Sequence, residues 1–158
     1  GALAKGWPFI IHIEFAATDV REEFMKKMEA MLEKNPDHPF ALIHMGQLET
    51  PDVRRLIEAH GNIHFITSKA SPAFANSKIR WINMFAGTKL KPAWKDLMTA
   101  HPDRFILAPD NVWAEDWGSR FINEVALWRK ALGEFPDDVA HAVAHGNAER
   151  LWRLVPAK

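Results

Sequence analysis

The chain has 158 residues, 47% of them hydrophobic and 25% charged, a globular composition that excludes a disordered polymer. Twenty basic residues balance twenty acidic ones without a basic stripe, and no apolar run approaches a membrane span, so neither nucleic acid nor a bilayer is an expected partner. The absence of cysteine excludes disulfides and thiolate chemistry, fits a cytoplasmic protein, and leaves any metal to histidine and carboxylate donors, which favours zinc or a similar divalent ion.

In chain order, short β-rich runs alternate with longer helical patterns. Residues 7–15, from Trp7 to Phe15, read as a buried strand with Pro8 at its entry; the apolar stretch is too short for a secretory signal. Asp19 and Glu22 stand in capping-box spacing before a helix whose apolar face is Val20, Phe24, Met28, Met31 and Leu32, stopped by Asn35-Pro36. A second strand is expected at 40–45. A helix opening at Thr50-Pro51 follows, with Val53, Leu56 and Ile57 inward and Gly61 at its end. The third strand is 62–67. Residues 70–91 form a less regular, helical or lid-like segment, and Pro92 opens a helix with Trp94, Leu97 and Met98 apolar. The fourth strand, 104–108, runs into Pro109-Asp110. A long helix over 117–132 ends at Gly133, and two short helices, 137–145 and 148–154, close the chain.

Strands apolar on both faces, joined by crossovers long enough to be right-handed βαβ units, belong to a parallel sheet covered by helices. No linker divides the chain, so residues 1–158 read as a single α/β unit. The edges of that sheet, around Phe9–Phe15 and Arg104–Ala108, carry no protective charge along their middles.

His12, His44 and Asp110 sit where a parallel sheet places an active site, at the C-terminal ends of strands. A lone strand histidine is commonly a core residue and an aspartate after a strand commonly a cap. Three at equivalent places on different strands form a donor set for a divalent ion with open positions for water. Gly46 relaxes the backbone just beyond His44. Glu14 shares a face with His12; His64 shares one with Ile66 and Ser68; Trp113 follows Asp110. These three are candidates to line a substrate pocket, with core packing the competing role for His64. His60 and His101 fit helix C-termini, and His141 and His145, four residues apart, lack the glutamate of a His-Glu-x-x-His motif.

The runs Pro8-Phe9-Ile10-Ile11-His12, Ala41-Leu42-Ile43-His44-Met45-Gly46, 104–110 (Arg104 to Asp110) and 146–152 (Gly146 to Trp152) come in an order that resembles strands five, six and eight and the closing helix of the amidohydrolase-related TIM barrels. The resemblance implies four parallel β-α units, half of a (β/α)8 TIM barrel. It implies a metal-dependent hydrolase acting on a C–N or C–O bond of a small molecule, or a related decarboxylase. His12 would be a metal ligand. Asp110 would be a ligand and proton acceptor. His44 would be a ligand in binuclear members, or an acid or base in mononuclear ones. The family's His-x-His pair on the first strand and its fourth-strand carboxylate or lysine are absent, and Ala-Pro-Asp-Asn replaces the more usual Gly or Ser before the aspartate. This chain alone is therefore expected to bind metal poorly and to be inactive. A second copy, or the missing N-terminal half, is expected to complete the barrel. The alternatives are a non-catalytic half-barrel binding or scaffold domain, and an unrelated α/β enzyme with core histidines. A phosphate loop or Gly-x-Ser-x-Gly elbow is missing, which disfavours nucleotide binding and α/β-hydrolase chemistry.

Overall fold

The computed structural model describes residues 2–15, 19–75 and 78–154. After a four-residue helix α1 (Ala2–Lys5) come β1 (Phe9–Ile11), α2 (Arg21–Lys34), β2 (Phe40–Leu42), α3 (Thr50–Ala59) and β3 (Ile63–Ile66). A small antiparallel hairpin, β4 (Phe85–Ala86) and β5 (Lys89–Leu90), precedes α4 (Pro92–Ala100), β6 (Phe105–Ile106) and α5 (Ser119–Leu132). Helices α6 (Asp137–His141) and α7 (Asn147–Trp152) end the chain. The main sheet has the order β1-β2-β3-β6, all parallel.

Strand alternation divides the sheet into two faces. Phe40, Leu42, Ile63, Phe65 and Phe105 point into the larger core with α2, α3, α4 and α5. Ala41, Ile66 and Ile106 point the other way, against Leu151 of α7. In α2 the buried residues are Met25, Met28 and Leu32, at helical spacing. Val20 and Phe24, expected inward, are exposed, because the buried stripe runs through Met25. Asp19 does not cap this helix: Val20 holds the N-cap position, without a side-chain cap. In α3 and α4 the expected inward residues are buried. Two arginine–carboxylate pairs, one arginine from each helix, tie α3 to α2. Arg55 grips Glu29 with two bonds of 2.9 Å, and Arg21 meets Asp52 at 2.6 Å.

Three other expectations change. The first strand is not buried: Phe9 and Ile10 are exposed because, among the described residues, β1 is an edge with no strand on its outer side. Among its described residues the segment before α4 holds no α-helix: a 3-10 turn at Pro72–Phe74 leads on to Gly87, whose φ of +61° turns the chain into the β4–β5 hairpin. The two C-terminal helices are one helical run, joined through a π-turn at Ala142–Gly146.

That π-turn has a clear cause. The Val143 carbonyl accepts the Leu107 N–H at 3.0 Å, and the Asn147 amide donates to the carbonyls of Phe105 at 2.8 Å and Pro102 at 2.7 Å. In β6 the Ile106 carbonyl faces β3 through Thr67 N–H, so alternation turns Phe105 and Leu107 outward. The C-terminal helix therefore satisfies the outer edge of β6. Widening of the helix to reach outside partners is how π-bulges commonly arise.

Candidate active site

The three residues singled out in the sequence stand beyond the C-terminal ends of the strands, one of them by an unexpected route. In the β1–β2 register Ile11 lies opposite Leu42. Continued one step, that register sets His12 beside Ile43, and His44 on the opposite face of the sheet. The backbone overrides this. His44, Met45, Gly46 and Gln47 all adopt positive φ, of 56°, 57°, 61° and 55°, a left-handed turn directly after β2. Left-handed backbone costs roughly 1–2 kcal/mol for each residue with a side chain, and such strain collects at functional sites. The turn carries the His44 ring to within 5.0 Å of the His12 ring, centroid to centroid. Gly46 is required inside it: a Cβ there would meet Leu42 Cδ1 at 3.2 Å and Phe15 Cδ2 at 3.4 Å, on top of the positive φ.

His44 is buried and its ring is held on both sides. Its backbone N–H donates to Ser68 Oγ at 3.2 Å, and Nδ1 lies 2.9 Å from the same oxygen and 3.3 Å from the Ser68 carbonyl. A carbonyl only accepts, so this contact holds the proton on Nδ1 and leaves the Nε2 lone pair open. Nε2 is 3.7 Å from Asp110 Oδ2. Burial lowers the His44 pKa from its ordinary value, against the upward pull of the Ser68 carbonyl and of Asp110, so the imidazole is neutral at neutral pH. Trp81 packs edge-on against it, with centroids 4.6 Å apart.

Asp110 also meets Lys69, whose Nζ is 3.2 Å from the same Oδ2. Lys69 has φ 56° and an ammonium over two rings, 5.1 Å from the centroid of Trp81 and 5.7 Å from that of Phe74. Next along, the loop to α5 folds around one carboxylate: Asp116 accepts the N–H groups of Val112 and Trp113 and a 2.6 Å bond from Arg120. The Trp113 N–H, ahead of the others, holds that carboxyl below its usual range.

His12, His44 and Asp110 are thus brought together, and Glu14 joins them, its Oε1 3.5 Å from His12 Nε2. His64 does not. It is buried at the other end of the sheet, its Nδ1 3.3 Å from the carbonyl of Phe40, where β2 begins. Burial lowers its pKa to about 4, helped by Arg104 and Arg150. Trp113 is exposed and its backbone, not its ring, carries its polar contact. Sequence reasoning passed over Ser68, Lys69 and Trp81. The signal available for the first two was the polar run Thr67-Ser68-Lys69 directly after a fully buried strand.

Two donors held about 2.1 Å from one ion at a tetrahedral angle stand about 3.4 Å apart. The His44–Asp110 separation of 3.7 Å fits such a pair. A third donor is not in place, for no group of three histidine or carboxylate residues among those described can enclose an ion. The cation now beside Asp110 is Lys69.

The parallel sheet, its helical crossovers and a polar cluster beyond the strand ends define an α/β unit of four β-α repeats, half of a (β/α)8 barrel. A family model for amidohydrolases matches residues 3–154, and the chain belongs to that family. An amidohydrolase from Burkholderia multivorans, solved with bound zinc, superimposes with a TM-score of 0.62 at 12% identity, over 98% of this chain and 55% of that one. The chain thus spans about half the length of that relative, and at such identity the likeness is one of fold. No curated protein matches the sequence. Among the described residues no helix is long and apolar enough to cross a membrane.

Proposed function

We propose that the chain is the C-terminal half of a metal-dependent hydrolase of the amidohydrolase type, cleaving a C–N or C–O bond of a small molecule, or of a related decarboxylase. The observation that carries this reading is the meeting of His44 Nε2 and Asp110 Oδ2 at 3.7 Å, with the His12 ring alongside. His12 and Asp110 are this chain's donors to a divalent ion, which we take to be zinc. When bound, that ion supplies Lewis-acid polarisation and a more acidic water. Asp110 accepts the proton given up by the attacking water. His44, neutral with Nδ1–H held by Ser68, presents a lone pair to the same place as donor or base. Glu14 orients His12, and Trp113 stands at the mouth of the pocket. His64 belongs to the base of the sheet and is dropped from the pocket.

One observation favours a non-catalytic binding or scaffold domain instead: Lys69 already neutralises Asp110. Zinc titration followed by calorimetry separates the two readings. The isolated chain is expected to bind zinc weakly, because a site needs at least three protein donors, and His12→Ala and Asp110→Asn are each expected to remove that binding. A complex with the missing half is expected to bind far more tightly and to hydrolyse amide or lactone substrates. Tight binding by the chain alone, lost in His141→Ala but kept in His12→Ala, would overturn the assignment.

A further inference from the structure

Away from the His12–His44–Asp110 cluster, a cavity of about 410 Å³ opens between α5, the turn at Pro72–Phe74 and the tip of the β4–β5 hairpin. That volume lies in the range of small-molecule sites. Its walls are mostly apolar, built from Pro72, Ala73, Ala126 and Leu127. Two of its polar lining groups are buried. Glu124 is only 4% exposed, and Ser71 only 1%.

The serine hydroxyl is left unsatisfied. Ser71 Oγ has no hydrogen-bond partner among the described residues; it lies close enough to temper the Glu124 carboxyl without reaching bonding geometry. Burial pushes the Glu124 pKa up, and Asp110 and Asp116 add to the rise while Arg120 opposes it. A buried carboxyl is costly to keep ionised. Here it lines a hollow, where an entering ammonium would stabilise its ionised form. At the mouth, Lys130 is held on Thr88 Oγ1 at 3.3 Å, so the outer end of any occupant meets a positive charge.

We propose that this cavity binds a small primary amine with one charged end and an apolar body, its ammonium entering first to meet Glu124 and Ser71. The apolar body lies along Pro72, Ala126 and Leu127. A second ammonium on the ligand would be repelled at the rim by Lys130.

The test is calorimetry or ligand-observed NMR with hexylamine on the full chain, beside hexanol, hexanoate and hexamethylenediamine. Hexylamine is expected to bind saturably and the other three at least about tenfold more weakly, the difference made by one charge-assisted bond. Glu124→Gln is expected to bring hexylamine down to the level of hexanol. Ala73→Trp, which plugs the mouth from an exposed position and leaves the core alone, is expected to abolish binding of all four; it keeps the test open should Glu124→Gln fail to fold. Equal binding of hexylamine and hexanol would overturn the proposal. So would unchanged hexylamine binding by a folded Glu124→Gln, or no saturable binding at all.

Discussion

At His44 burial and hydrogen bonding pull in opposite directions, and burial wins, which fixes both the charge and the tautomer of the ring. Histidine-ring nitrogen NMR at neutral pH is expected to show a neutral imidazole protonated on Nδ1; an Nε2–H form would mean that Ser68 does not orient it. At His64 the same physics acts on stability. Its folded pKa of about 4 lies below the ordinary 6.5, so between these values the unfolded chain binds the extra proton. Stability from this residue is full above about pH 6.5 and is lost as pH falls toward 4, amounting to about 2 kcal/mol at pH 5. Urea unfolding should therefore show a smaller loss between neutral pH and pH 5 in His64→Phe than in the parent chain, and an equal loss would refute this. His12, His44 and Asp110 were legible in the sequence because each follows an apolar run at a strand end. Lys69 was not, since its importance lies in a left-handed backbone and two rings contributed from elsewhere.

Among the elements, those with a long periodic pattern were read correctly: α3, α4 and α5 lie where their apolar spacing and their Pro or Gly punctuation put them. The failures occur where tertiary contacts decide. A period-two pattern continues through His44, yet the strand stops at Leu42 and a left-handed turn begins. Gly46→Ala is expected to cost about 1–2 kcal/mol for the positive φ alone, with more for the contact with Leu42, and to lower zinc binding by separating His44 from Asp110. Chemical denaturation and zinc titration of the same variant check both. The C-terminal helical run was split in two because nothing local announces a π-turn; its cause is β6, which Asn147 meets across 42 residues of chain. Asn147 is the residue that ties them. Asn147→Ala strips the carbonyls of Phe105 and Pro102 of their donor, and leaving buried acceptors unpaired costs about 1–3 kcal/mol. Faster amide exchange at Leu107, with that loss of stability, is the expected result; unchanged exchange would show that Val143 alone holds the edge.

On the scale of the whole molecule, the sequence led to an open half-barrel with two bare edges, and one of them is closed. The C-terminal helix takes the outward N–H of Leu107 and carbonyl of Phe105, so β6 has no edge to offer a strand. Its last turn also covers the inner face, where Leu151 packs on Ala41, Ile66 and Ile106. What stays open is β1. Among the described residues no strand pairs with its outer side, and Trp7, Phe9 and Ile10 are exposed by 58%, 41% and 52%. An apolar edge of this kind is a template for pairing with another chain, and a second copy of the same edge can pair with it about a two-fold axis. We therefore expect the isolated chain to self-associate with rising concentration, seen by sedimentation velocity. Ile10→Lys places a charge on the outer edge at a position that faces away from the larger core, and should return the chain to a monomer without loss of thermal stability. A change in the β6 region, such as Asn147→Ala, should add association rather than remove it, because it uncovers the second edge. A parent chain that stays monomeric at every concentration would mean that β1 is protected as it stands, and a folded Ile10→Lys that still associates would move the contact away from β1.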